Sequence, residues 1–120
     1  MNTIDERQEP RKGIMCKDGF KISIQASTNH YCIPLENGYD TLYTHVELGY
    51  PSERDNLIDE YVENLSKDGE DIDYINSVYP YVPSEVISLL IAKHGGWTSG
   101  EMPRLGIAVE HIIPMPVLRA

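Results

Sequence analysis

Residues 20–27 read Phe20-Lys21-Ile22-Ser23-Ile24-Gln25-Ala26-Ser27, or FKISIQAS, and their alternation decides the class of fold. Phe20, Ile22, Ile24 and Ala26 fall on one side of an extended chain. Lys21, Ser23, Gln25 and Ser27 fall on the other. Successive strand side chains point to opposite faces, so this pattern predicts a half-buried strand. LYTHVELGY, residues 42–50, repeats it, with Leu42, Thr44, Val46 and Leu48 on one face and Tyr43, His45 and Glu47 on the other. Between the two, TNHYCIP reads as a short strand or bend stopped by Pro34. LENGYD carries Asn37-Gly38, a pair favoured in tight hairpins. The first half of the chain therefore predicts an antiparallel meander.

The second half adds helices. Ser52 can cap a helix after Pro51, with Glu53 and Asp55 in its first turn, where the helix dipole favours negative charge. Leu57, Ile58, Tyr61, Val62 and Leu65 then form an apolar stripe at helical spacing, ended by SKDGED. YINSVYPYV is β-branched and aromatic and predicts a strand that is broken or at an edge at Pro80. Pro83 or Ser84 opens a second helix through Val86, Ile87, Leu89, Leu90 and Ile91. It is apolar around much of its circumference and hence expected at the centre of the packing. His94-Gly95-Gly96 ends it, a glycine serving the left-handed position after the last turn. GIAVEHII predicts a last strand before Pro114 and Pro116. The expected architecture is α+β: a mainly antiparallel sheet with two helices packed on it.

At 120 residues and 41% hydrophobic content, the chain has the size of one domain with a real core. Residues 1–14 are expected to be a disordered leader, and 15–120 a single α+β domain. The core is small, which makes a homo-oligomer a natural source of extra burial. No apolar run approaches the ~20 residues of a membrane span, and the charged start lacks a signal-peptide pattern. The expected setting is the cytoplasm, where Cys16 and Cys32 stay reduced and read first as packing residues.

Formal net charge is −9, and it is concentrated. Between Ser52 and Asp73 stand Glu53, Asp55, Asp59, Glu60, Glu63, Asp68, Glu70, Asp71 and Asp73 against Arg54 and Lys67. Phosphates are repelled by such a surface, which argues against direct binding of a nucleic-acid polymer. A basic protein surface would be attracted to it. The plain alternative is a solvated stretch that keeps the protein soluble.

Catalytic signatures are sparse. His30, His45, His94 and His111 show no metal-binding spacing, and no phosphate-cradling glycine loop, nucleophile elbow or zinc pattern occurs, so no cofactor or metal is called for. His30 and Cys32 would share a strand face and form a candidate activated thiol, and Glu47 would share a face with His45 as a candidate acid–base pair. Packing and surface contacts are the ordinary reading of both.

One loop suggests a ligand. AKHGGWTSGEMPR, residues 92–104, offers the flat face of Trp97, polar groups at Thr98, Ser99 and Gly100, and the forked cation of Arg104. Tyr79 and Tyr81 precede the adjoining helix, and His94 ends it. An aromatic platform with amide donors and a cation is what a nucleotide needs. The alternative is that Trp97 packs under the last strand and Arg104 pairs with an acidic neighbour.

IQASTNHYCIP with YTHVELGYPS, and SVYPYVPSEVISLLIAKHGG, together resemble a group of small proteins encoded by phages and prophages, mostly of unassigned function. The resemblance covers roughly residues 16–96 and carries no catalytic signature. It implies a viral accessory protein that blunts host defence. The expected function is a non-catalytic, anti-CRISPR-like inhibitor that holds a host defence protein through the acidic region 52–73. The alternative is a sponge for a nucleotide immune messenger, using Trp97, Ser99, Arg104, Tyr79, Tyr81 and His94. A thiol enzyme on Cys32, His30 and Glu47 comes third.

Overall fold

In the computed structural model, the strand read from FKISIQAS is β2 (Lys21–Gln25) and lies in the middle of a five-stranded sheet. The structure describes residues 10–38, 40–63 and 72–107. Beside β2 lie β1 (Ile14–Cys16) and β3 (His45–Gly49). The edges are β4 (Val78–Pro83) and β5 (Trp97–Ser99), giving the order β4-β3-β2-β1-β5 with every neighbour antiparallel. Phe20, Ile22, Ile24 and Ala26 are all buried, as the alternation requires, and join Val46, Leu48, Tyr79 and Val82 in one core. Each large aliphatic side chain taken out of water there stabilises the fold by about 1.5–3 kcal/mol.

The second face of β2 is covered at Gln25, whereas Lys21 stays exposed. Gln25 Nε2 donates to the Arg11 carbonyl (2.8 Å) and Gln25 Oε1 accepts the Arg11 N–H (2.8 Å), as a paired strand would. Arg11 Nη1 donates to the Ala26 carbonyl (2.7 Å), and Arg11 is buried. The leader expected over 1–14 is corrected here: Arg11 is bonded to β2 and Ile14 lies in β1, while residues 1–9 fall outside the described residues.

α1 (Ser84–Lys93) continues directly from β4. The Ser84 N–H donates to the Thr44 carbonyl (2.9 Å), which satisfies one of the N-terminal donors. At the other end, Gly96 N–H donates to the Ile91 carbonyl (2.9 Å) and Gly95 N–H to the Ala92 carbonyl (3.1 Å). This 6→1 and 5→2 pair, with Gly95 at φ +88°, closes the helix as expected for its glycines. Ile87 and Leu90 enter the core, but Leu89 is 58% exposed. α1 is therefore not central. It lays one stripe on the sheet and leaves another apolar position in water.

Among the described residues α1 is the one α-helix, so the helix expected from Ser52 is corrected. The Ser52 hydroxyl does not cap a helix; it accepts the Lys21 N–H (2.9 Å), and the Ser52 N–H donates to the Lys21 carbonyl (2.8 Å). Asp55 turns its carboxylate inward and accepts the Leu57 N–H (2.9 Å). Such local side-chain bonds compete with helical ones. What remains is a 3-10 turn over Asp59–Tyr61, after which Glu63 N–H donates to the Val78 carbonyl (2.9 Å) beside β4. Ile58 is buried as the stripe required; Leu65 lies outside the described residues.

Of the smaller expectations, the edge strand at Pro80 held, while the hairpin at Asn37-Gly38 changed. Asn37-Gly38 does not close a two-residue hairpin: Asn37 Oδ1 accepts the Thr28 N–H (2.9 Å), and Ile33 bridges His45 within a long β2–β3 connection. β4 runs through Pro80 to Pro83 on the sheet edge, where a missing N–H is tolerated. Its register slips by one residue opposite β3, with Tyr81 at φ +53°, a bulge that makes the edge irregular. Leu105 makes a parallel bridge to Tyr43, and residues 108–113 of the expected last strand lie outside the described residues.

Candidate functional site

The best-organised polar cluster is built around His94, the residue that follows the last turn of α1. Its ring stacks on Phe20 with centroids 3.9 Å apart and planes 7° from parallel. Nδ1 lies 2.7 Å from Asp18 Oδ2, on the β1–β2 turn, and Nε2 lies 2.7 Å from Asp55 Oδ2. Asp55 Oδ1 accepts Lys93 Nζ at 3.0 Å, and Asp18 Oδ1 accepts the Phe20 N–H at 2.9 Å. His94 and Asp55 are buried, whereas half of the Asp18 side chain meets solvent.

Charge follows from the geometry. Ionised carboxylates only accept hydrogen bonds, so a ring held between two of them donates from both nitrogens and is an imidazolium. Burial pulls the His94 pKa down, but the bonds to Asp18 and Asp55 outweigh it and hold the imidazolium above its ordinary 6.5. The C-terminal end of α1 favours the same cation. Burial pushes Asp55 up, yet the Leu57 N–H, His94 and Lys93 together hold it below 3.8. The Phe20 N–H, then His94, do the same for Asp18. Neither ring nitrogen keeps a lone pair for a substrate proton. The cluster ties the β1–β2 turn, the 52–63 loop and α1 together.

That assignment corrects two expected roles. His94 is buried with both ring nitrogens bonded internally, and Asp55 is buried rather than part of an outward surface. Asp59 is also engaged, by a bidentate bond to Arg54 (2.9–3.2 Å), while Arg54 stacks over Tyr74 at 4.0 Å. Asp73 accepts the Ile75 and Asn76 N–H groups and shapes a turn. Arg54, Asp55, Asn56, Asp59 and Lys93 line an open polar hollow of about 360 Å³ in which each cation already faces a carboxylate. Glu53 and Glu60 are exposed and Glu63 half-buried, and none of the three forms an ion pair with a described residue. Asp68, Glu70 and Asp71 lie outside the described residues.

The residues expected to hold a nucleotide do not converge. Tyr79 is fully buried and its hydroxyl donates to the Tyr74 carbonyl (2.5 Å); burial pushes its pKa up to about 12. Tyr81 is on β4 and tilts against Tyr31 at 5.6 Å, whereas Trp97 and Ser99 are on β5, at the opposite edge of the sheet. Arg104 faces Asp40 at 3.7 Å, both well exposed. Trp97 is 47% exposed and borders a groove of about 310 Å³ with Ile87, Ser88, Ile91, Met102 and Leu105. This groove is mainly apolar and offers no cation to a phosphate.

The thiol candidate is disarmed by its surroundings. Cys32 is buried and donates to the carbonyls of Ser27 (3.2 Å) and Pro34 (3.4 Å), and burial pushes its pKa up. His30 Nδ1 meets the Ser27 hydroxyl (2.7 Å), and burial lowers its pKa. Glu47 accepts the Tyr31 N–H (3.0 Å), and His45 Nδ1 meets the Thr44 hydroxyl (2.9 Å). Among the described residues no group of three or more His, Cys, Asp or Glu side chains is arranged to hold a metal ion, and no helix is long and apolar enough to cross a membrane.

Sequence reasoning missed Asp18 altogether. It stands 76 residues from His94, and Asp55 stands 39 away, so no local pattern connects the three. No family model, curated protein or solved structure matches the chain.

Proposed function

We propose that the protein is a non-catalytic binding protein that holds a protein partner on the acidic loop around residues 53–63. The observation that carries this reading is the charge balance of the loop. Arg54 is matched by Asp59, and Lys93 by Asp55, which leaves Glu53, Glu60 and Glu63 without a cation among the described residues. Unmatched carboxylates on a surface are available to a basic partner, and the chain's charge of −9 steers such a partner towards it. The Cys32 thiol and both nitrogens of His94 are taken up by internal bonds, which supports binding over turnover. The resemblance of residues 16–96 to phage and prophage proteins supplies the partner's class, a component of host anti-phage defence.

The test is a phage-plating assay in hosts that each carry one defence system. Expression of the protein is expected to restore plating in one of them. A Glu53→Lys/Glu60→Lys variant is expected to lose that rescue while its unfolding free energy stays within about 0.5 kcal/mol, as surface changes do. Rescue that survives the double reversal, or no rescue in any host, overturns the proposal.

A further inference from the structure

The outer face of α1 carries a pattern that complements itself. Glu85 stands in the first turn, Leu89 near the middle and Lys93 in the last turn, each four residues from the next. Positions four apart form one ridge along a helix. Leu89 is 58% exposed on that ridge, and Lys93 keeps 46% of its side chain in solvent beyond its contact with Asp55. The apolar surface continues beside the helix at Trp97 (47% exposed) and Ile107 (71%), across grooves of about 310 and 510 Å³.

We infer that this face pairs with the same face of a second copy of the chain, with the two α1 helices antiparallel about a two-fold axis at Leu89. A two-fold through residue 89 places residue 85 of one copy opposite residue 93 of the other, so Glu85 meets Lys93 twice, once on each side of the axis. A parallel arrangement would set Glu85 against Glu85. The antiparallel one also sets the dipoles of the two helices head to tail. Charge complementarity thus selects both the occupant and its direction. An ammonium has three donors, so Lys93 can face Glu85 of the partner subunit while still holding Asp55. α1 is only about 15 Å long at ~1.5 Å per residue, so the flanking Trp97 and Ile107 must enter the contact to reach the ~800 Å² per partner of an ordinary interface. This surface adjoins the acidic loop proposed to hold the partner, and Lys93, which also lines the hollow beside Asp55, is where the two meet.

Sedimentation of the wild-type chain at about 100 μM, well above a micromolar dissociation constant, is expected to give the mass of two copies. Leu89→Asp, at a position that does not support the core, is expected to weaken self-association at least tenfold, with a melting curve that matches wild type at concentrations where both chains are monomers. Glu85→Lys is expected to weaken it less, and more at low salt than at high. The register is read with Leu89→Cys: a residue on the axis lies close to its own copy, so mild oxidation is expected to cross-link two chains through position 89. Thr98→Cys, off the axis, is expected not to cross-link. A wild-type mass of one copy at that concentration, a dimer that survives Leu89→Asp, or a dimer in which Leu89→Cys does not cross-link, overturns the inference.

Discussion

Asp55→Asn tests the polar cluster with the least change in shape. Asp55 accepts three hydrogen bonds, from the Leu57 N–H, Lys93 Nζ and His94 Nε2. An amide can keep the first two through its oxygen, but its NH₂ group then faces the N–H of His94. Either the two donors oppose each other, or His94 gives up its Nε2 proton, accepts the amide N–H there and loses its positive charge between the two elements. Removing one partner of a buried ion pair costs roughly 3–5 kcal/mol. Lys93 is half in water and regains solvent, and Asp18 still holds the ring, so the lower end applies: about 3 kcal/mol. For a domain of this size that lowers Tm by roughly 10–15 °C.

The pH dependence gives a second readout. His94 has its folded pKa raised, so its contribution is complete below the unfolded value of 6.5 and is lost as pH rises through the folded pKa. Asp55 and Asp18 have theirs lowered, so their contribution is present above 3.8 and lost as pH falls through the folded values. Wild-type stability is therefore expected to plateau near pH 5–6 and fall on both sides. In Asp55→Asn the alkaline fall should end at lower pH and be smaller. Urea unfolding from about pH 2 to pH 9, with His94 followed by NMR, measures both limbs. A loss below about 1 kcal/mol at pH 6, or an alkaline limb identical to wild type, refutes the reasoning.

Gly100 has φ +106°, and a Cβ there would sit 2.2 Å from the Gly13 carbonyl oxygen, so Gly100→Ala should destabilise by about 3 kcal/mol or more in thermal melts. Gly96 has φ +94° with nothing within 4 Å, and Gly96→Ala should cost only about 1 kcal/mol, the left-handed conformation alone. Cys32 should react with a thiol reagent at neutral pH far more slowly folded than in denaturant, and His30→Ala should leave that slow rate unchanged; rapid labelling of the folded chain contradicts the hydrogen-bonding scheme. Removing residues 1–12 strips Gln25 of both Arg11 bonds and should cost about 2 kcal/mol or more in thermal melts.

Alternation and glycine spacing told the truth at β2 and at the end of α1, but not over 42–48, where Leu42 is exposed while Tyr43 and His45 are buried. Phe20, Ile22, Ile24 and Ala26 had to share a face because a strand turns its side chains over at every residue. Gly95 and Gly96 had to stop α1 because they alone adopt the left-handed closing positions without penalty. The edge position of β4 was legible in Pro80 for the same kind of reason. The stripe from Leu57 to Val62 misled because its periodicity describes what is buried, and here burial is achieved without a helix: Ser52 is drawn to β2 and Asp55 to His94, and both leave the local ladder.

From the sequence alone came the antiparallel α+β class, the buried face of β2, the limits of α1 and the net negative charge. These depend on backbone period, on residue conformational freedom and on composition, all of which act over a few residues or are simple sums. Tertiary packing decided which of those charges meet solvent, that His94 is a cation clamped by Asp18 and Asp55, that Tyr79 and Trp97 are kept apart, and that Leu89 faces outward. The reason is that hydrogen bonding and desolvation depend on distances of a few ångströms between residues tens of positions apart, and a linear pattern holds no record of which distant groups the fold will bring within reach.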